Sequence, residues 1–194
     1  MNLSNSQKKI VSNVAWSLGG KAVNMASALF VGILIARYLG PESYGLMNYV
    51  ISYVAIFSII ATFGMDNIEI RELSRQNDKK DAIMGTCFCL RMFFATIAYI
   101  VIAISLFYFQ TDKFTSLMVL AYGLTLFTGT GNLLRNYFTS IVQNKYIVKS
   151  EMYRTFVGAG IKILLLWIKA PLEYFIYAQI FDTVSYTHLR AHET

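Results

Sequence analysis

The stretch Arg37-Tyr-Leu-Gly-Pro-Glu42-Ser-Tyr-Gly-Leu-Met-Asn-Tyr-Val-Ile-Ser-Tyr-Val-Ala-Ile-Phe-Ser-Ile-Ile-Ala-Thr-Phe-Gly-Met65 decides the fold. From Ser43 to Met65 there is no charged side chain, and the short polar turn ahead of it closes a second apolar stretch, Ala22 to Ala36. A helix needs roughly 20 apolar residues to cross about 30 Å of hydrocarbon. Two such stretches joined by so short a turn predict a membrane hairpin.

The same pattern recurs outward from it. Met92 to Gln110 and Phe114 to Leu134 are uncharged and close to spanning length. The first helix is expected from near Val11, the third from near Ala82, the fifth from about Ser150 to Ile168, and a sixth after Pro171. The predicted fold is therefore all-α: a polytopic transmembrane helical bundle of about five complete helices and a truncated sixth. Composition agrees, with 56% hydrophobic, 15% aromatic and 14% charged residues and a mean hydropathy of +0.49. A soluble domain with such runs would leave large apolar faces in water.

Met1 to Ile10 is polar, and the apolar stretch behind it lacks a small-residue cleavage site, so the first span is expected to stay as an anchor. Val184-Ser-Tyr-Thr-His-Leu-Arg-Ala-His-Glu-Thr194 breaks the apolar pattern. It reads as one frame of the transposase adapter used in sequencing libraries. Residues 1–183 are thus expected to be the native bundle and 184–194 a non-native tail. His188 and His192 both fall in that tail, which removes them as metal ligands or bases. Cys87 and Cys89, without a second pair, read as lipid- or protein-facing thiols.

Lys and Arg in short loops set orientation. Lys8 and Lys9, then Arg71, Arg75, Lys79 and Lys80, then Lys145 and Lys149, fall on one side, against Arg37, Lys113 and Lys169 on the other. The amino terminus is expected to be cytoplasmic. The loop Asp66 to Asp81 mixes both signs and reads as a solvated connector with room for a short interfacial helix.

Lys21, Arg91, Arg154 and Lys162 lie inside apolar helices, with Arg135 nearer a helix end. Each costs about 2.5–3.5 kcal/mol at a helix centre on insertion scales, and such cations normally line a water-filled cavity. No acid is expected inside these spans to neutralise them. For Arg154 and Arg135, one or two turns from the cytoplasmic ends, snorkelling of the charge to the interface competes evenly with the cavity. Lys21 and Arg91, about 15 Å deep at 1.5 Å per residue, favour the cavity. Ala28, Gly32 and Ala36 form a small-residue stripe suited to tight helix packing. Gly129-Thr-Gly131-Asn132 loosens the fourth helix, either as a bend that moves or as a contact point. There is no Asp-x-Asp, no His-Glu-x-x-His and no Gly-rich phosphate loop, so no enzyme is expected.

Asn13-Val-Ala-Trp16, then Ala36-Arg-Tyr-Leu-Gly-Pro-Glu-Ser-Tyr-Gly-Leu46, Phe63-Gly64, Arg71-Glu-Leu-Ser-Arg75 and Gln143-Asn-Lys-Tyr146 complete the pattern. Together they resemble the amino-terminal part of the polysaccharide biosynthesis flippases, the O-antigen and capsule repeat-unit transporters of the multidrug/oligosaccharidyl-lipid/polysaccharide exporter superfamily. Members have two helical bundles around a cavity open alternately to each side, so the resemblance makes this chain little more than the first bundle.

The resemblance implies a bacterial cytoplasmic (inner) membrane protein that moves an undecaprenyl-diphosphate-linked oligosaccharide, with membrane lipids and polysaccharide assembly proteins as partners. It implies no nucleic acid, metal or cofactor. Lys21, Arg91, Arg154 and Lys162 would hold the diphosphate, while Asn24, Tyr53 and Asn132 would meet the sugar. The alternatives are a drug exporter of the same superfamily, whose cationic substrates a Lys- and Arg-lined cavity disfavours, and a membrane glycosyltransferase or ligase using the same lipid carrier.

Overall fold

The computed structural model describes residues 5–75, 80–109, 112–133, 136 and 144–191, with side chains described over 18–75, 80–109, 112–133, 136 and 151–183. Lys79, Arg135 and Gln143 fall outside these limits altogether, as do the side chains of Lys8, Lys9, Asn13 to Trp16, Asn144 to Tyr146, Lys149 and the tail from Val184.

The first helix, α1 (Asn5–Thr62), is broken once, at Gly40, where φ is 74° and ψ 172°. Glycine takes this left-handed region without a Cβ clash. Pro41 follows, suited to the first turn of the new arm because its missing N–H has no acceptor there. The two arms fold side by side: the Tyr44 hydroxyl lies 3.8 Å from where a Gly32 Cβ would stand. The expected hairpin is therefore present, closed at the expected turn.

The second arm stops at Phe63 and Gly64, with φ of 45° and 67°. In that unfavourable region the Phe63 ring stacks on Phe94, with ring centroids 4.4 Å apart. Next come α2 (Met65–Arg75) and α3 (Lys80–Tyr108). The loop expected as a connector is thus largely helical, and it buries Met65, Glu69 and Leu73. Asp112 caps α4 (Lys113–Gly123), accepting a hydrogen bond from the Thr115 amide at 2.9 Å.

The fourth span is not one regular helix. A turn at Leu124 is followed by α5 (Thr125–Thr128) and a 3-10 turn, Gly129–Gly131. The hydroxyls of Thr125, Thr128 and Thr130 each donate to a carbonyl three residues back, which satisfies polar groups within the apolar segment.

The last two helices, α6 (Asn144–Trp167) and α7 (Leu172–Ala191), meet at a tight turn. Lys169, with φ of 54°, occupies the left-handed position. Its amide donates to Leu166 O at 3.2 Å, and that of Ala170 to Leu165 O at 3.0 Å. This is a Schellman termination, with buried Leu165 and Ala170 as its apolar pair and Pro171 barring continuation.

The core joins Val50 and Val54 of α1, Ala95, Ala98 and Ile102 of α3, Met118 and Val119 of α4, and Phe175 and Ile176 of α7. Opposite faces remain apolar and open, among them Phe93, Ile100, Ile104 and Phe107 on α3. Such a surface suits lipid rather than water. Among the described residues three helical stretches are long and apolar enough to cross a membrane: Leu18–Arg75, which contains the break at Gly40, Lys80–Tyr108 and Lys113–Gly131.

Candidate functional site

The buried stripe of α3 runs Arg91, Ala95, Ala98, Ile102 and Leu106, spaced as one face of a helix. Arg91 is thereby aimed into the protein, and it is 2% exposed. Its Nε donates to Glu69 Oε1 at 2.7 Å, and Nη2 donates to Glu69 Oε2 at 2.8 Å and Asp66 Oδ1 at 2.6 Å. The Asn136 amide donates to Glu69 Oε2 at 2.6 Å and Asp66 Oδ1 at 3.0 Å, while Arg91 Nη1 reaches Gly129 O at 3.4 Å.

Arg91 was expected to be an unneutralised cavity cation, and the structure corrects this. After the break at Phe63-Gly64, α2 brings Asp66 and Glu69 within hydrogen-bond distance of Arg91 on α3. A bidentate Arg–carboxylate pair with both partners buried is a structural clamp. Among the described residues the Gly129 carbonyl is the one backbone acceptor in that set.

Two cavities lie along the second arm of α1. The first, about 370 Å³, is lined among others by Asn24, Tyr44, Arg154, Thr155, Lys162 and Asp182. The second, about 440 Å³, is lined by Ser58, Tyr122, Thr125, Asn132, Glu151 and Arg154 among others. Ile51 and Arg154 border both. On the second arm of α1 the two linings together run from Tyr44 to Thr62 along one face, about 27 Å at 1.5 Å per residue. That length approaches the thickness of a bilayer core.

Within this groove α6 presents Glu151, Arg154, Thr155 and Lys162 at helical spacing. Lys162 Nζ lies 3.1 Å from Asp182 Oδ2, and Arg154 Nε lies 3.8 Å from Asp182 Oδ1. The expectation that no acid accompanies these cations is thus overturned here too. Gly158 makes room for the arrangement: a Cβ there would stand 2.9 Å from Asp182 Oδ1. Thr155 Oγ1 donates to Asn24 Oδ1 at 2.6 Å, joining α6 to the first arm of α1.

Of the residues expected at the site, Asn24, Arg154 and Lys162 meet in the first cavity, and Asn132 borders the second. Lys21 is exposed and borders neither. Tyr53 points away from both, its hydroxyl 2.7 Å from Ser105 Oγ. Ala28 and Gly32 of the small-residue stripe also line the first cavity, where Gly32 faces the Tyr44 hydroxyl of the second arm. Asp182, Glu151 and Gly158 were missed. The available signal for Asp182 was an acid in an apolar stretch across a single turn from Lys162.

Nothing among the curated proteins or the solved structures matches the chain. Residues 10–187, however, match the family model described as polysaccharide biosynthesis protein, and this multi-pass membrane chain belongs to that family, which places it in polysaccharide synthesis at a membrane.

Proposed function

We propose that the protein is a flippase carrying undecaprenyl-diphosphate-linked oligosaccharide repeat units across the cytoplasmic membrane of a bacterium. The observation that carries this reading is the pair of adjoining cavities along the second arm of α1, whose linings together span nearly the thickness of a bilayer core, with Arg154 bordering both and Lys162 in the first. Intramembrane cations facing a cavity mark a path for an anion. Guanidinium and ammonium groups bind phosphate oxygens through charge-assisted hydrogen bonds. Asn24 and Asn132, with the hydroxyls of Ser58 and Thr125, supply neutral polar groups of the kind a sugar requires.

In this reading the protein is not an enzyme. Asp66 and Glu69, two acids at the membrane edge, are engaged by Arg91 and Asn136, which opposes a glycosyltransferase or ligase using them as catalytic groups. The amino terminus is cytoplasmic, about five complete helices and a truncated sixth form the bundle, and a second bundle closes the groove. Arg91 leaves the substrate site and becomes part of the frame.

One observation favours the drug-exporter alternative: Glu151 and Asp182 make the groove less cationic than the sequence implied. The test is the Arg154→Ala, Lys162→Ala double variant of the native gene. With membrane levels unchanged, surface polysaccharide is expected to disappear and the lipid-linked repeat unit to accumulate on the cytoplasmic leaflet. Normal polysaccharide in that strain, with heightened sensitivity to cationic drugs, would transfer the assignment to the exporter.

A further inference from the structure

Asp182 has no part in holding a phosphate, yet it stands directly before the two groove cations. It lies on α7, whereas Arg154 and Lys162 are both on α6. One oxygen is well held, Oδ2 by Lys162 at 3.1 Å. The other, Oδ1, is buried, faces Arg154 Nε at 3.8 Å, and has no hydrogen bond among the described residues. All three side chains border the same cavity of about 370 Å³.

A carboxylate oxygen buried without a hydrogen bond is held below its potential, because it has lost water without full replacement. The geometry is also specific, since Asp182 fits only because Gly158 has no Cβ. Two cations on one helix, spanned by an imperfectly bonded O–C–O group from the next, form an anion site occupied from within. A diphosphate offers the same oxygens in greater number and with more charge, which suits it to replace a carboxylate there.

Building on the flippase reading, we infer that Asp182 is an internal counter-anion: it occupies the phosphate site of Arg154 and Lys162 until the substrate's diphosphate displaces it. Displacement removes the ionic ties of Arg154 and Lys162 on α6 to Asp182 on α7. Substrate binding is thereby coupled to freedom of α7 to move, through a difference in contacts between the two states.

The test is equilibrium binding of labelled inorganic pyrophosphate to the purified protein in detergent, with farnesyl diphosphate as competitor. Asp182→Asn, which keeps the shape and removes the charge, is expected to tighten pyrophosphate binding about tenfold, a change of about 1.4 kcal/mol. Arg154→Ala with Lys162→Ala is expected to abolish binding. In the unaltered protein, carbodiimide labelling of Asp182 should rise when pyrophosphate is added, a readout independent of how the variants fold. Unchanged or weaker binding by Asp182→Asn, or labelling indifferent to pyrophosphate, overturns the counter-anion while leaving the cation site standing. Full binding after loss of both cations overturns the site itself. Farnesyl diphosphate that fails to displace pyrophosphate overturns the lipid-linked assignment.

Discussion

Arg91 Nε lies 2.7 Å from Glu69 Oε1, and the two residues are 2% and 1% exposed. A cation in the apolar face of α3 is therefore stabilised from within the bundle, by an acid 22 positions earlier in the chain. Removing one partner of such a buried pair leaves the other uncompensated, at about 3–5 kcal/mol. Arg91→Ala should lower the unfolding midpoint in detergent sharply, and Arg91→Lys should fall short of the native protein because the fork geometry is lost. Arg91→Met combined with Glu69→Gln should be milder than Arg91→Met alone. A fully stable Arg91→Ala protein that has lost only substrate binding would return Arg91 to the site.

Gly158 is the position at which α6 admits Asp182. A β-carbon there would meet the carboxylate at 2.9–3.1 Å, closer than packed atoms tolerate. Gly158→Ala should push Asp182 off Lys162 and destabilise by about 1–3 kcal/mol. In an Asp182→Ala background the same change should become neutral or favourable, since alanine is the better helix former by about 1 kcal/mol. Equal effects in both backgrounds, measured as a double-mutant cycle by thermal unfolding, would remove the clash from the account.

The α6–α7 turn places Lys169 at φ 54°, where a side chain is strained and glycine is not. Lys169→Gly should raise stability by up to about 1 kcal/mol, less what glycine adds to the freedom of the unfolded chain. A drop in the unfolding midpoint would mean that the lysine side chain contributes more than its backbone strain removes.

Asp112 caps α4, and the Thr115 amide donating to its carboxylate holds its pKa below the ordinary value of 3.8. A depressed folded-state pKa means stability that is fully present above 3.8 and is lost as pH falls through the lower folded value. The protection of the Thr115 and Ser116 amides against exchange, relative to the intrinsic rate at each pH, should therefore fall on acidification through that window. Asp112→Asn keeps a capping oxygen without the titration, so its exchange there should lack the acid-induced step.

Hydropathy and turn chemistry alone determined that the chain spans a membrane, that helical arms are its units, and that Gly40-Pro41 reverses it. Each of these depends on residues adjacent in sequence: apolar runs long enough to cross lipid, and a glycine–proline pair that no helix crosses unbroken. The 3.6-residue spacing of Arg91, Ala95, Ala98, Ile102 and Leu106 already pointed Arg91 inward, but its companions were not local. Only the tertiary structure decided which charges meet. Glu69 reaches Arg91 across 22 positions, Asp182 reaches Lys162 across 20, and Asn136 reaches Glu69 across 67. Those distances depend on where Phe63-Gly64 turns α2 and where Lys169-Ala-Pro171 folds α7 back. Packing thus divided four similar cations into a clamp at Arg91, a groove pair at Arg154 and Lys162, and an exposed Lys21, because a charge inside an apolar bundle settles by which opposite charge or cavity the neighbouring helix brings to it.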